Sequence, residues 1–191
     1  MKIEAGTSSR ERILLEATRI AQAHGYNGLN VRELANAVGI KAASIYHHFA
    51  SKADLAAAVA RRYWEDSEAA LLALQDEFAE PARCLQHYPG TFRTALGRDN
   101  RICLCSFMAA EMDDLPEEVI KEVRKFADVN VAWLKSMLIA GAIVPAKECE
   151  DRARAIFSAI AGAQLIARSR SDISLYDRLI DTYRAAGLLP S

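Results

Sequence analysis

The stretch Val31 to Lys52, VRELANAVGIKAASIYHHFASK, constrains this chain more than any other. Asn30 just before it has the short polar side chain suited to a helix N-cap. Val31, Leu34, Ala35 and Val38 then recur at helical spacing. Gly39 falls where that helix must stop and the chain must turn, because glycine takes φ > 0 without strain. Ile40 packs back, a second helix follows from about Ala42 to His48, and Ser51 reads as the N-cap of a third. Helix, glycine turn and short second helix make the layout of a helix-turn-helix, whose second helix can enter the DNA major groove.

Charge supports that reading. The whole chain carries a net charge of −1, which alone does not suggest a nucleic-acid binder. Residues 1–62, however, hold nine Lys/Arg against five Asp/Glu, a net +4, leaving 15 against 20 for residues 63–191, a net −5. A basic N-terminal unit on an acidic remainder is what a DNA-reading domain joined to a separate body would show.

The corner also resembles the TetR family of bacterial transcriptional repressors, whose DNA-binding segment has the form G-[VI]-x-x-x-x-[IL]-Y-x-[HY]-F-x-[SN]-K-x-x-L. Gly39, Ile40, Ile45, Tyr46, His48, Phe49, Ser51, Lys52 and Leu55 stand at the matching places. The resemblance extends upstream through Arg10 to His24, Gly25 and Tyr26, and so covers roughly the first 60 residues. It implies an all-α fold, with a helix-turn-helix domain at 1–52 and a helical effector-binding and dimerisation domain at 53–191. The last two helices would pair with those of a second copy in a homodimer.

Helical periodicity runs along the whole chain. Nine glycines and five prolines are few for 191 residues, which favours helices over a turn-rich β fold. Ile13, Leu14, Ala17, Ile20 and Ala21 form the inward stripe of a first helix, from Ser8 or Ser9 to His24. A long helix should run from Lys52 to about Glu80, uninterrupted until Pro81, and could act as a rigid strut between the two parts. Tyr88-Pro89-Gly90 should break or kink the helix after it. Ile102 to Met112 is apolar around almost its whole circumference and reads as a buried central helix. Further helices are expected from Pro116 to about Ala140, Glu148 to about Arg168, and Leu175 to Ala186, making nine helices with no convincing strand. No segment approaches 18 consecutive apolar residues and the N-terminus has no apolar signal core, so a cytoplasmic protein with no membrane partner is expected.

The resemblance implies that Ala42, Ala43, Ser44 and Tyr46 face the groove. It also implies that Lys41, His47 and Lys52, with Asn30 and Arg32 from the preceding helix, reach the DNA backbone. Lysines suit phosphates, whereas short side chains let a helix lie close to base edges and thymine methyls. Ala42 and Ala43 donate no hydrogen bonds to bases, so DNA shape should carry part of the specificity. Phe49 is expected in the core instead. His47 and His48 point about 100° apart on a helix and make a poor chelate; no metal or cofactor is expected.

For the C-terminal body, Phe92, Cys103, Phe107, Met108, Glu111, Met112, Trp133 and Met137 could line an apolar cavity, as the family's effector pockets do. Glu111 is the unusual member, because a carboxylate on an apolar segment must pair or meet a ligand. It could equally cap a neighbouring helix or pair with Arg93. Ala155, Ala159, Gly162 and Ala163, with Leu179 and Tyr183, would let helices of two copies approach closely. The segment Ile102 to Glu111 also looks like the Cys-Leu-x-Gly-x-x-Ala-x-Glu stretch of one TetR branch, with Ser106 in place of the glycine. Some of that branch sense electrophiles through cysteine, so Cys103 or Cys105 is a candidate sensor, although buried cysteines need no special role.

The reading is therefore a homodimeric regulator, most simply a repressor, that binds a palindromic double-stranded operator and is released by a small effector. A cysteine-based switch on the same fold is the first alternative. A thiol or acid-base enzyme built on Cys103 and Glu111 is the second, and it lacks a Ser/His/Asp or Cys/His set.

Overall fold

The computed structural model describes residues 8–190, and all regular structure among them is helical. Nine α-helices follow one another: α1 (Ser9–His24), α2 (Val31–Val38), α3 (Ala42–His48), α4 (Lys52–Glu77), α5 (Pro81–Leu96), α6 (Leu104–Ala109), α7 (Glu117–Ala140), α8 (Cys149–Ser169) and α9 (Ile173–Ala185). Short 3₁₀ turns at Met112–Asp114 and Ala146–Glu148 precede α7 and α8. None of the helices is long and apolar enough to cross a membrane.

The capping chemistry explains most boundaries. Ser8 Oγ accepts from Glu11 N at 3.2 Å, Asn30 Oδ1 accepts from Arg32 N at 2.9 Å, and Ser51 Oγ accepts from Asp54 N at 2.9 Å. Each satisfies a donor that the first helical turn leaves orphaned. Gly39 closes α2 at φ 78°, ψ 35°, its N–H turned back to the Ala35 and Asn36 carbonyls. A Cβ there would meet nothing within 4 Å, so backbone conformation, and not space, requires glycine.

The chain divides into two compact units. Among the described residues, the first contains residues 8–63 together with Leu104–Arg124, and the second contains Trp64–Cys103 with residues 125–190. Helices α4 and α7 each contribute residues to both. In the first unit α1 packs against α2, α3 and α6, around Ile13, Leu14, Ala17, Leu34, Ile45, Leu55 and Met108. Arg12 Nη2 donates to the Val38 carbonyl at 2.8 Å, and Arg62 pairs with Glu11 at 2.5 Å, fastening α1 to α2 and to α4.

The second unit is built on α5, α8 and α9, with an aromatic cluster of Tyr88, Phe92, Phe126, Trp133 and Phe157. Three buried polar residues are satisfied inside its own framework. Tyr88 Oη donates to Asn130 Oδ1 at 3.0 Å, and Asn130 Nδ2 donates to the Phe126 carbonyl at 2.9 Å. Gln164 accepts from Cys103 N at 2.8 Å and donates to the Phe92 carbonyl at 2.6 Å.

Two expectations need correction. The break offered as one outcome at Tyr88-Pro89-Gly90 does not occur, because helix α5 runs on through Pro89. The hydrogen bond that proline forfeits is outweighed by packing, because Tyr88, Pro89 and Phe92 are all buried and Tyr176 Oη donates to the Pro89 carbonyl at 2.7 Å. The segment from Ile102 to Met112 is helical only over Leu104–Ala109. Before it, Asp99 and Asn100 adopt positive φ and Gln164 captures the Cys103 N–H. After it, the Ala110 and Glu111 N–H groups bond three residues back, tightening the chain out of the helix. Helix α4 ends at Glu77, close to the expected end near Glu80.

Candidate nucleic-acid interface

Helix α3 separates its two faces sharply. Ile45 and Phe49 are 1% and 5% exposed and close the core of the first unit, with the Arg10 guanidinium 5.3 Å from the Phe49 ring centre. Tyr46, one residue from Ile45, is 52% exposed. Lys41, Ala43, Ser44 and His47 are exposed beside it, as are Asn30 and Arg32 from the α2 side of the turn. Ala42 is half-buried. An exposed large aromatic on a short polar helix is unusual, since such a ring gains about 1.5–3 kcal/mol when buried.

The electrostatics of this face are simple. Arg32 and Lys41 stand in solvent with no acid in the α3 sequence, and His47 and His48 meet edge to face at 5.6 Å. Asn30 has its Oδ1 committed to the α2 cap. Lys52 is held more firmly: its Nζ lies 4.4 Å from the centre of the Tyr26 ring and 3.5 Å from the Asn27 carbonyl oxygen. The surface thus offers cations and short side chains around one exposed phenol, the parts needed to hold phosphates while approaching base edges.

Residues 13–59 match the family described as bacterial regulatory proteins, tetR family. The HTH-type transcriptional repressor AcnR of Corynebacterium glutamicum is 44% identical over 64 residues, which are 32% of this chain and 34% of that protein. The matched stretch therefore spans about a third of the curated relative's length. Similarity in structure extends much further. A TetR transcriptional regulator from Legionella pneumophila superimposes with a TM-score of 0.89 at 26% identity, covering 97% of this chain and 99% of that one. The stretch 13–59 is thus a TetR-family DNA-binding domain in sequence, and the fold of the described chain is that of TetR regulators. A second regulator of that family, from Agrobacterium tumefaciens, gives a TM-score of 0.86 at 27% identity over 93% of this chain and 96% of its own.

The other residues singled out in this chain fall in less uniform places. Of the expected effector set, Phe107, Met108, Glu111 and Met112 lie in the first unit and Phe92, Cys103, Trp133 and Met137 in the second. Trp133 is 8% exposed, stacks on Tyr88 at 5.7 Å, and donates its Nε1–H to Gln75 Oε1 at 2.9 Å. A surface cleft of about 270 Å³ on the first unit is lined by Asp54, Ala57, Ala58, Arg61, Glu118, Lys121 and Glu122, none of them in that set. Glu111 does not pair with Arg93, which instead forms a two-pronged bridge to Asp177 at 2.7 and 2.8 Å. Its carboxylate accepts from Tyr26 N at 2.7 Å and Asn27 N at 3.4 Å.

On α8, Ala155 and Gly162 are exposed, Ala159 is half-buried and Ala163 faces the interior; Leu179 and Tyr183 on α9 are half-buried. Leu165 and Ile166 were not singled out in the sequence, yet they are 55% and 51% exposed and continue the Ala155–Gly162 face at i+3 and i+4. Their spacing from Gly162 was the available signal. The thiols of Cys84, Cys103, Cys105 and Cys149 are all buried. Burial pushes the Cys84 thiol pKa up, while its Sγ donates to the Phe78 carbonyl at 3.2 Å.

Proposed function

We propose that this TetR-family protein is a homodimeric, non-enzymatic transcriptional repressor of the cytoplasm, which binds a palindromic operator and releases it when a small molecule binds. The observation that carries the reading is the two-faced α3 helix, with Ile45 and Phe49 inside and Tyr46 beside Lys41, Ser44 and His47 outside. The sequence likeness to AcnR, an HTH-type transcriptional repressor, supports repression over activation.

In this reading residues 1–52 read DNA, with Arg32, Lys41 and Lys52 on phosphates and Ala42, Ala43, Ser44 and Tyr46 toward the groove. Residues 53–191 bind effector and dimerise. The exposed α8 face with Ala155, Gly162, Leu165 and Ile166 meets its counterpart in a second copy, with α9 beside it. Two-fold symmetry then sets two recognition helices about one DNA turn, roughly 34 Å, apart, which demands a palindrome. Helix α4, unbroken from Lys52 to Glu77, conveys effector binding to the DNA-reading part; the two binding events oppose one another with reciprocal energies. Burial of all four thiols favours a noncovalent effector over a cysteine switch.

Fluorescence anisotropy of the purified protein against labelled DNA from its own upstream region, titrated with salt, tests this. Binding that weakens steeply with salt, at two protomers per site, is expected. Equal affinity for a scrambled sequence would defeat the proposal.

A further inference from the structure

The loop joining α1 to α2 is built around a carboxylate from 85 residues further along the chain. Gly25 leaves α1 at φ 68°, which turns the next N–H groups of Tyr26 and Asn27 toward Glu111. Glycine is required there twice over. The positive φ strains any L-residue, and a Cβ at position 25 would fall 2.2 to 2.5 Å from the Glu111 carboxylate atoms. Asn27 Nδ2 adds a bond to Asp114 Oδ2 at 3.2 Å. Gly28 closes the loop, its N–H donating to the His24 carbonyl at 3.1 Å.

The other side of this loop holds Lys52. The ammonium lies over the Tyr26 ring at 4.4 Å and reaches the Asn27 carbonyl at 3.5 Å. A cation on a ring face and a carbonyl is fixed without being neutralised, because neither partner carries a negative charge. Lys52 therefore keeps its full charge for an outside anion, while losing the rotamer freedom that a long side chain would otherwise give up on binding.

We propose that Glu111 is a positioning residue for DNA binding: by holding the Tyr26 and Asn27 N–H groups it fixes the platform that presents Lys52 to a phosphate. This rests on the repressor reading above and adds to it a residue from the segment between α6 and α7, far from the helix-turn-helix in sequence. Departure of the carboxylate would loosen the platform and let the ammonium wander.

The test is a thermodynamic cycle in operator affinity and its salt dependence. Lys52→Ala should weaken binding roughly tenfold and make the salt slope shallower by about one. Glu111→Ala should do the same, and the double variant should be no worse than Lys52→Ala alone. Glu111→Gln, which keeps one acceptor oxygen, should recover most of the affinity. Gly25→Ala, which evicts the carboxylate without altering it, should reproduce Glu111→Ala. Should a variant not fold, hydrogen exchange on the wild-type protein still decides the local point, since the Tyr26 and Asn27 amides must be protected. Independent losses that multiply in the double variant, or a Glu111→Ala protein that binds like wild type, overturn the proposal. If wild type itself ignores operator DNA while those amides are protected, the repressor reading is what has failed.

Discussion

Tyr46 on α3 and Phe49 just past its end have opposite fates, and single substitutions should separate them. Phe49→Ala removes a ring that is 5% exposed and should cost about 3–5 kcal/mol of stability, read by urea denaturation. Tyr46→Ala alters a half-exposed ring; it should leave stability within about 0.5 kcal/mol and still abolish tight operator binding. Gly39→Ala must place a side chain at φ 78° and should cost about 1–2 kcal/mol even though the added methyl has open space. The inward place of Phe49 and the turn at Gly39 were legible in the sequence, because periodicity names the inward positions and glycine marks the left-handed turn; the outward place of Tyr46 was implied only by the family resemblance. The partner of Glu111 was not legible. A carboxylate at position 111 is visibly out of place, but the backbone N–H groups of Tyr26 and Asn27 that take it carry no sequence signature.

At the scale of helices, sequence reading failed where tertiary packing overrode local preference. Pro89 sits inside α5, where proline normally breaks a helix, and the Tyr176 hydroxyl has taken its carbonyl as an acceptor. Gln164 is a comparable hinge pin, joining α8 to the Phe92 carbonyl of α5 and to the Cys103 N–H. Gln164→Leu would strand the Cys103 N–H in the interior, while the Phe92 carbonyl keeps its place in the α5 ladder, and should lower stability by about 1–3 kcal/mol. The α5–α9 contact has an acid-sensitive component. Arg93 holds the Asp177 carboxyl below its ordinary pKa, so the pair stabilises the folded state above the normal carboxylate range and loses that contribution as pH falls through the depressed value. Asp177→Asn should therefore flatten the acid limb of a stability-versus-pH curve and leave the neutral-to-basic limb's shape unchanged. Both partners are nearly half exposed, so the effect should shrink in high salt.

For the molecule as a whole, the helical class and the order of the nine helices followed from composition and periodicity. The allocation of residues to units did not. Residues 104–124 belong with the N-terminal helices, because α6 packs on α1 and Glu111 reaches the α1–α2 loop, contacts between positions far apart in the chain. Burial of the four cysteines predicts slow alkylation: N-ethylmaleimide should modify the native protein far more slowly than the urea-unfolded chain, followed by mass spectrometry. The interleaving of the two units also sets an order of events during synthesis. When Tyr63 leaves the ribosome the helix-turn-helix exists, but the carboxylate that seats its first loop is still unmade, and Arg124 follows about 60 residues later. At 5–20 residues per second that is a wait of roughly 3–12 s. A nascent chain is thus expected to acquire its helix-turn-helix early and the stable placement of Lys52 late, once most of the protein has been translated.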